Sequence, residues 1–156
     1  MKSARNTLPG EPPGGVTCGI DWARDDHAVS VVNARGREIH RCSVEHSAAG
    51  LRELAAVLAR NGAREAAIER PGGPVADALL EAGITVVVIS PNQIKNLRGR
   101  YGSAGSKDGR FDACVLAGTL RTDRARQARR KLTVAGLSGV RGASRARSVR
   151  SVPART

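Results

Sequence analysis

Val16-Thr17-Cys18-Gly19-Ile20-Asp21-Trp22 is an apolar run that ends on a carboxylate. The form returns in Ala66-Ala67-Ile68-Glu69-Arg70-Pro71. An unpaired buried carboxylate is expensive, so a buried strand that ends in one calls for a reason. A third stretch, Lys107-Asp108-Gly109-Arg110-Phe111-Asp112-Ala113, sets acids at the opening of a helix. Two strand-end acids and a helix acid suggest carboxylates converging on a divalent cation.

Outward from Asp21 the pattern predicts a strand over 16–21, a second over 27–33 and a third over 38–44, with Ala34-Arg35-Gly36-Arg37 as a turn. These make an antiparallel meander. Ser47 reads as an N-cap, Leu51, Leu54, Ala55 and Leu58 recur at helical spacing, and Asn61-Gly62 ends that helix. A fourth strand covers 64–69. Pro74 suits the first turn of a helix over 74–81, and Gly83 stops it. Residues 84–89, Ile-Thr-Val-Val-Val-Ile, form a strand apolar enough to be buried on both faces. Ser90-Pro91 opens another helix, and 108–120 carries Phe111, Val115, Leu116 and Leu120 on one side of a last one. Three antiparallel strands followed by helix-linked strands match the ribonuclease H-like arrangement, an α/β mixed sheet flanked by helices. Sites of open α/β sheets lie beyond the carboxyl ends of strands. Asp21 and Glu69 both occupy such ends.

The chain of 156 residues is long enough for one domain with a real core, built from Ala, Val, Leu and Ile because aromatics are only 2%. Its net charge of +12 favours a polyanion partner. The excess is uneven: +2 over residues 1–120 and +10 over 121–156. Residues 1–15, rich in Pro and Gly, read as a flexible leader, 16–123 as the folded domain, and 124–156 as a basic, disordered tail. Cys18, Cys42 and Cys114 form neither a disulfide framework nor a zinc motif. No apolar run reaches membrane-spanning length, and the N-terminus has no apolar signal core. These features point to a cytoplasmic protein with no membrane partner.

Magnesium takes carboxylates, waters and phosphate oxygens in octahedral array. Two ions about 3.5–4 Å apart can activate water and stabilise a leaving oxygen in phosphodiester cleavage. Four blocks carry a resemblance: Gly19-Ile20-Asp21; Ala67-Ile68-Glu69-Arg70-Pro71-Gly72; Val88-Ile89-Ser90-Pro91-Asn92-Gln93; and Lys107-Asp108-Gly109-Arg110-Phe111-Asp112-Ala113. Together with Leu120-Arg121-Thr122-Asp123-Arg124, their spacing resembles the DEDD insertion-sequence transposases with an N-terminal RuvC-like domain. The resemblance implies a RuvC-like fold, Mg²⁺ or Mn²⁺, DNA transposition and recombination, an element-encoded guide RNA, and a homo-oligomer in full-length members. It implies metal-ligating, catalytic roles for Asp21, Glu69 and Asp112.

The family's third acid stands three residues before its last, which here is Gly109. Asp108 is one position early; it either substitutes in the catalytic set or caps its helix. Lys95, Arg98, Arg100, Lys107 and Arg110 are the candidate nucleic-acid-binding residues, with a solvated charged face as the other reading. Trp22, Tyr101 and Phe111 read as core ahead of base-stacking platforms, and His27, His40 and His46 as non-ligands. Family members continue into a second domain with a catalytic serine, so the chain reads as a truncated transposase. The competing reading is a non-catalytic nucleic-acid-binding remnant. A sugar-kinase or actin-like ATPase hairpin is disfavoured by Trp22-Ala23-Arg24, which offers no Gly/Thr-rich turn for phosphate.

Overall fold

The computed structural model describes residues 11–98 and 109–132. Five strands form one sheet: β1 (Thr17–Trp22), β2 (Asp26–Val32), β3 (Glu38–Glu45), β4 (Glu65–Ile68) and β5 (Thr85–Val88). Their spatial order is β3-β2-β1-β4-β5. β1, β2 and β3 pair antiparallel, whereas β4 runs parallel to β1 and to β5. The expected meander and mixed sheet are therefore present, with strand ends displaced by a residue or two.

The helices are α1 (Ala48–Arg60), α2 (Pro74–Glu81), α3 (Pro91–Arg98), α4 (Gly109–Thr122) and the single turn α5 (Arg124–Gln127). Ser47 caps α1 by accepting from the Gly50 amide at 3.0 Å. At the start of α3 the Ser90 amide donates to Gln93 Oε1 at 3.3 Å, a capping-box contact.

Strand alternation divides the core in two. On one face Cys18, Ile20, Val29, Val31, Ala66 and Ile68 pack against α1 and α2 through Leu54, Leu58, Val75 and Leu79. On the other, Ala67, Val87 and Ile89 pack against Ile94 of α3 and Val115, Leu116 and Leu120 of α4. β5 contributes Val86 to one core and Val87 to the other, as an apolar strand buried on both faces should.

Two expected boundaries move. Within the stretch read as a leader, Pro13–Gly15 forms a 3-10 turn and Pro12 is buried; residues 1–10 lie outside the described residues. The basic tail does not begin at 124. Arg124 is buried and bound through both terminal nitrogens to the buried Glu65 carboxylate, with Nη2 to Oε1 at 2.7 Å. Gln127 is buried, Lys131 bridges Val87, and the Leu132 amide donates to the Val86 carbonyl at 2.8 Å. Residues 124–132 thus close the outer edge of β5, which would otherwise present unpaired backbone groups. The rest of the expected tail lies outside the described residues.

Candidate active site

Thr17, Gly19 and Asp21 alternate onto the face of β1 that meets α4. Thr17 Oγ1 donates to the Ala117 carbonyl at 2.9 Å. Gly19 lets the helix come closer still. A Cβ built there would lie 1.9 Å from the Ala113 carbonyl oxygen and 2.6 Å from the Ala117 nitrogen. As the strand advances from Thr17 to Gly19 the helix retreats from Ala117 to Ala113. α4 therefore runs antiparallel to β1, and its N-terminal turn, with Asp112, lies toward the carboxyl end where Asp21 stands.

Glu69 reaches the same edge through β4. Ile20 is paired with Ile68 in a parallel register, and Asp21 and Glu69 are the next residue of each chain segment. Gly19 is paired with Ala67, which belongs to the core under α4, and Glu69 is two residues beyond Ala67 on that face. By strand register and helix direction, Asp21, Glu69 and Asp112 all belong to the end of the sheet where β1 and β4 finish, each partly exposed.

The donor set is all carboxylate oxygen, which suits Mg²⁺ or Mn²⁺ rather than a softer metal. Among the described residues no three Asp, Glu, His or Cys side chains are drawn into a ready-made cage. Magnesium sites do not require one: the ion keeps several waters and takes one or two carboxylates together with phosphate oxygens. The three acids carry the oxygen donors that such an open site uses.

Gly109 opens α4, one turn before Asp112, so it is a helix-terminal residue and not an interior one. Asp108, Lys107 and Arg100 lie outside the described residues. Lys95 is exposed on α3, which leaves the carboxyl end of β5; Arg98 closes that helix and Arg110 is the second residue of α4. His40 stays apart from the three acids on β3. His27 and His46 pair with one another, Nε2 to Nδ1 at 2.9 Å, and His27 is wholly buried. Burial, then the neighbouring His46, hold the His27 imidazole below its ordinary value, partly opposed by Asp26.

Two residues at this edge were not expected to act together. Trp22 packs against the α1–α2 core, as anticipated, but Arg70 lies over its ring, the guanidinium carbon 6.0 Å from the centroid. Both flank the acids in sequence. Only the β1–β4 register could have paired them.

Comparisons with known proteins agree with this architecture. The Thermus thermophilus RuvC structure matches over 75% of this chain and 98% of its own, with a TM-score of 0.51 and 22% identity. A T. thermophilus RuvC solved in complex with a Holliday junction substrate gives the same coverage, a TM-score of 0.52 and 21% identity. The fold is RuvC-like. In sequence, y4uE of Sinorhizobium fredii, named as a transposase, is 42% identical over 111 residues, or 67% of this chain and 31% of its own length. The mini-circle protein of Streptomyces coelicolor named as the transposase for IS117 is 35% identical over 113 residues, 69% of this chain and 27% of its own. The matched stretch spans under a third of either relative. The family profile described as Transposase, for DEDD transposases of the IS110 type, matches residues 18–149, and the chain belongs to that family.

Proposed function

We propose that Asp21, Glu69 and Asp112 hold Mg²⁺ or Mn²⁺ at the carboxyl edge of β1 and β4, in a domain that acts on DNA phosphodiesters during transposition. What supports this reading is the parallel register Ile20–Ile68, which ends one residue before Asp21 on β1 and one before Glu69 after β4. The metal would supply an activated water and stabilise the leaving oxygen. The chain's own part is to present oxygen ligands from three rigid elements and leave room for phosphate. Asp112, in the first turn of α4, stands where the helix dipole favours negative charge. Lys95, Arg98, Arg100, Lys107 and Arg110 are proposed contacts for the nucleic-acid backbone. The element-encoded guide RNA and the homo-oligomer implied by the family belong to this proposal.

One observation favours a second reading, a non-catalytic nucleic-acid-binding remnant. Position 109, where the family pattern has an acid, holds glycine at the head of α4. A Mn²⁺ titration followed by electron paramagnetic resonance decides between them, with duplex DNA cleavage assayed in parallel. The metal-dependent reading expects Mn²⁺ binding that weakens in Asp21→Asn and in Glu69→Gln. Identical titrations for parent and both variants, with DNA bound but never cut, would leave the second reading.

A further inference from the structure

The ends of β1 and β4 repeat one arrangement. Each strand ends on an acid that belongs to the α4 face, and each acid is followed by a residue of the opposite face: Asp21 by Trp22, Glu69 by Arg70. The parallel register of the two strands also brings Trp22 and Arg70 together, with the guanidinium over the indole at 6.0 Å. The ring is itself fixed. His27 meets it edge-on, with centroids 6.3 Å apart at 64°. It also lies against Gly73, where a Cβ would come within 2.8 Å of Trp22 Cζ3. Gly73 also has φ of +104°, a conformation open to glycine and strained for other residues. The loop from Glu69 to Gly73 is therefore shaped to pass over an indole.

Arg70 is exposed, and among the described residues its recorded contact is the ring, with no carboxylate paired to it. A cation over an aromatic face at an exposed site gains about 0.5–1 kcal/mol. That is enough to bias one side-chain direction and too little to occupy the guanidinium's five donors, which favour bidentate phosphate contact.

We propose that Trp22 and Arg70 form a clip across the ends of β1 and β4, with Arg70 as a phosphate contact for nucleic acid held at Asp21 and Glu69 and Trp22 as its positioning residue. This rests on the proposed metal-dependent reading of that edge. It adds a cation outside the α3–α4 set and names what holds it.

The test is equilibrium binding of the full chain to duplex DNA across salt, with Mn²⁺ titrated separately. One phosphate contact contributes about 0.9 to the slope of log affinity against log salt. Arg70→Ala should lower that slope by about 0.9, equivalent to losing roughly 3.5-fold of the affinity change across a fourfold rise in salt. Trp22→Leu should reproduce much of this loss although Arg70 is still present, and Trp22→Phe, which keeps a ring, should not. A merely structural tryptophan would leave the slope alone. Arg70→Ala, at an exposed position, decides the matter even if Trp22→Leu fails to fold. An unchanged slope in Arg70→Ala overturns the clip, and so does a folded Trp22→Leu with the parent's slope. Absence of Mn²⁺ binding in the parent counts instead against the metal-dependent reading, so the two failures are distinct.

Discussion

Replacing Gly19 by alanine adds a methyl group where the structure has none to spare. The new Cβ would sit 1.9 Å from the Ala113 carbonyl oxygen, 2.6 Å from the Ala117 nitrogen and 2.9 Å from Leu116 Cβ. Two of these are backbone atoms of one helix, so no rotamer change relieves the contact. α4 must lift from β1. Overpacking a tight core costs about 1–3 kcal/mol, and a contact with helix backbone belongs at the upper end. The smaller freedom of alanine in the unfolded chain returns about 0.4–1 kcal/mol. A net loss of about 2–3 kcal/mol corresponds to a drop in Tm of roughly 10 °C for a domain of this size.

Gly50→Ala is the matched control. Its Cβ would lie 1.9 Å from the Glu45 carbonyl oxygen, where α1 meets the end of β3, away from α4. Helix propensity offsets about 1 kcal/mol there, so a similar melting loss is expected. The two variants should separate in Mn²⁺ titration. Gly19→Ala displaces the helix that carries Asp112 and should weaken binding; Gly50→Ala should leave the binding of its folded fraction unchanged. A Gly19→Ala protein that melts with the parent would show that α4 does not approach β1 this closely. Equal metal binding in the two variants would separate Asp112 from the site.

The buried His27 imidazole is held below its ordinary value of 6.5, so the unfolded chain takes up a proton first as the pH falls. Its contribution to stability should be full above about pH 6.5 and decline below it toward the lower folded value; urea titrations between pH 5 and 8 should show this slope shrinking in His27→Gln. Arg124→Met should cost about 3–5 kcal/mol by leaving Glu65 as a buried charge, and Glu65→Leu combined with Arg124→Met should recover most of that, read from denaturant midpoints. Deleting residues 133–156 removes five arginines and no acid, so the DNA salt slope should fall by up to about 4.5 with Tm unchanged, whereas deleting from 124 should lower Tm sharply. Gly109→Asp should show a larger Mg²⁺-induced rise in Tm than the parent, because added negative charge beside Asp21 and Glu69 is repulsive until a cation joins them; equal shifts would refute this.

The strands were legible because their residues obey local rules. Val16 to Ile20 and Ala66 to Ile68 are apolar runs that stop on acids, and Ser47, Asn61-Gly62, Pro74 and Gly83 punctuate the helices by capping and turn chemistry. Asp21 and Glu69 could be named for the same reason, each standing where a strand ends, whereas Asp112 was named by the family resemblance of its block. What stayed hidden depends on partners distant in sequence. Composition marks residues 121–156 as a basic run, yet Arg124 finds its carboxylate 59 residues upstream, and that one pair draws the start of the tail into the core. Gly19 reads as an unremarkable strand glycine until Ala113 arrives from across the chain. Trp22 and Arg70 each have an ordinary local reading, and their pairing needs the strand register.

The geometry of α4 on β1 also says why position 109 matters. From Thr17 to Gly19 the strand advances two residues, about 6.6 Å. The matching contacts on α4 move from Ala117 to Ala113, four residues or about 6.0 Å. Strand and helix therefore run nearly in step. One more step takes the strand from Gly19 to Asp21 and the helix from the Ala113 carbonyl to the Gly109 carbonyl, which faces the amide of Ala113 within the first turn. The first turn of α4, from Gly109 to Asp112, is therefore the part of the helix level with Asp21. Residues three and four apart share a helix face, so 109 and 112 belong to the stripe that also carries 113 and 117. An acid at 109 would add a second carboxylate to the first turn of α4, beside the one that Asp112 already carries there.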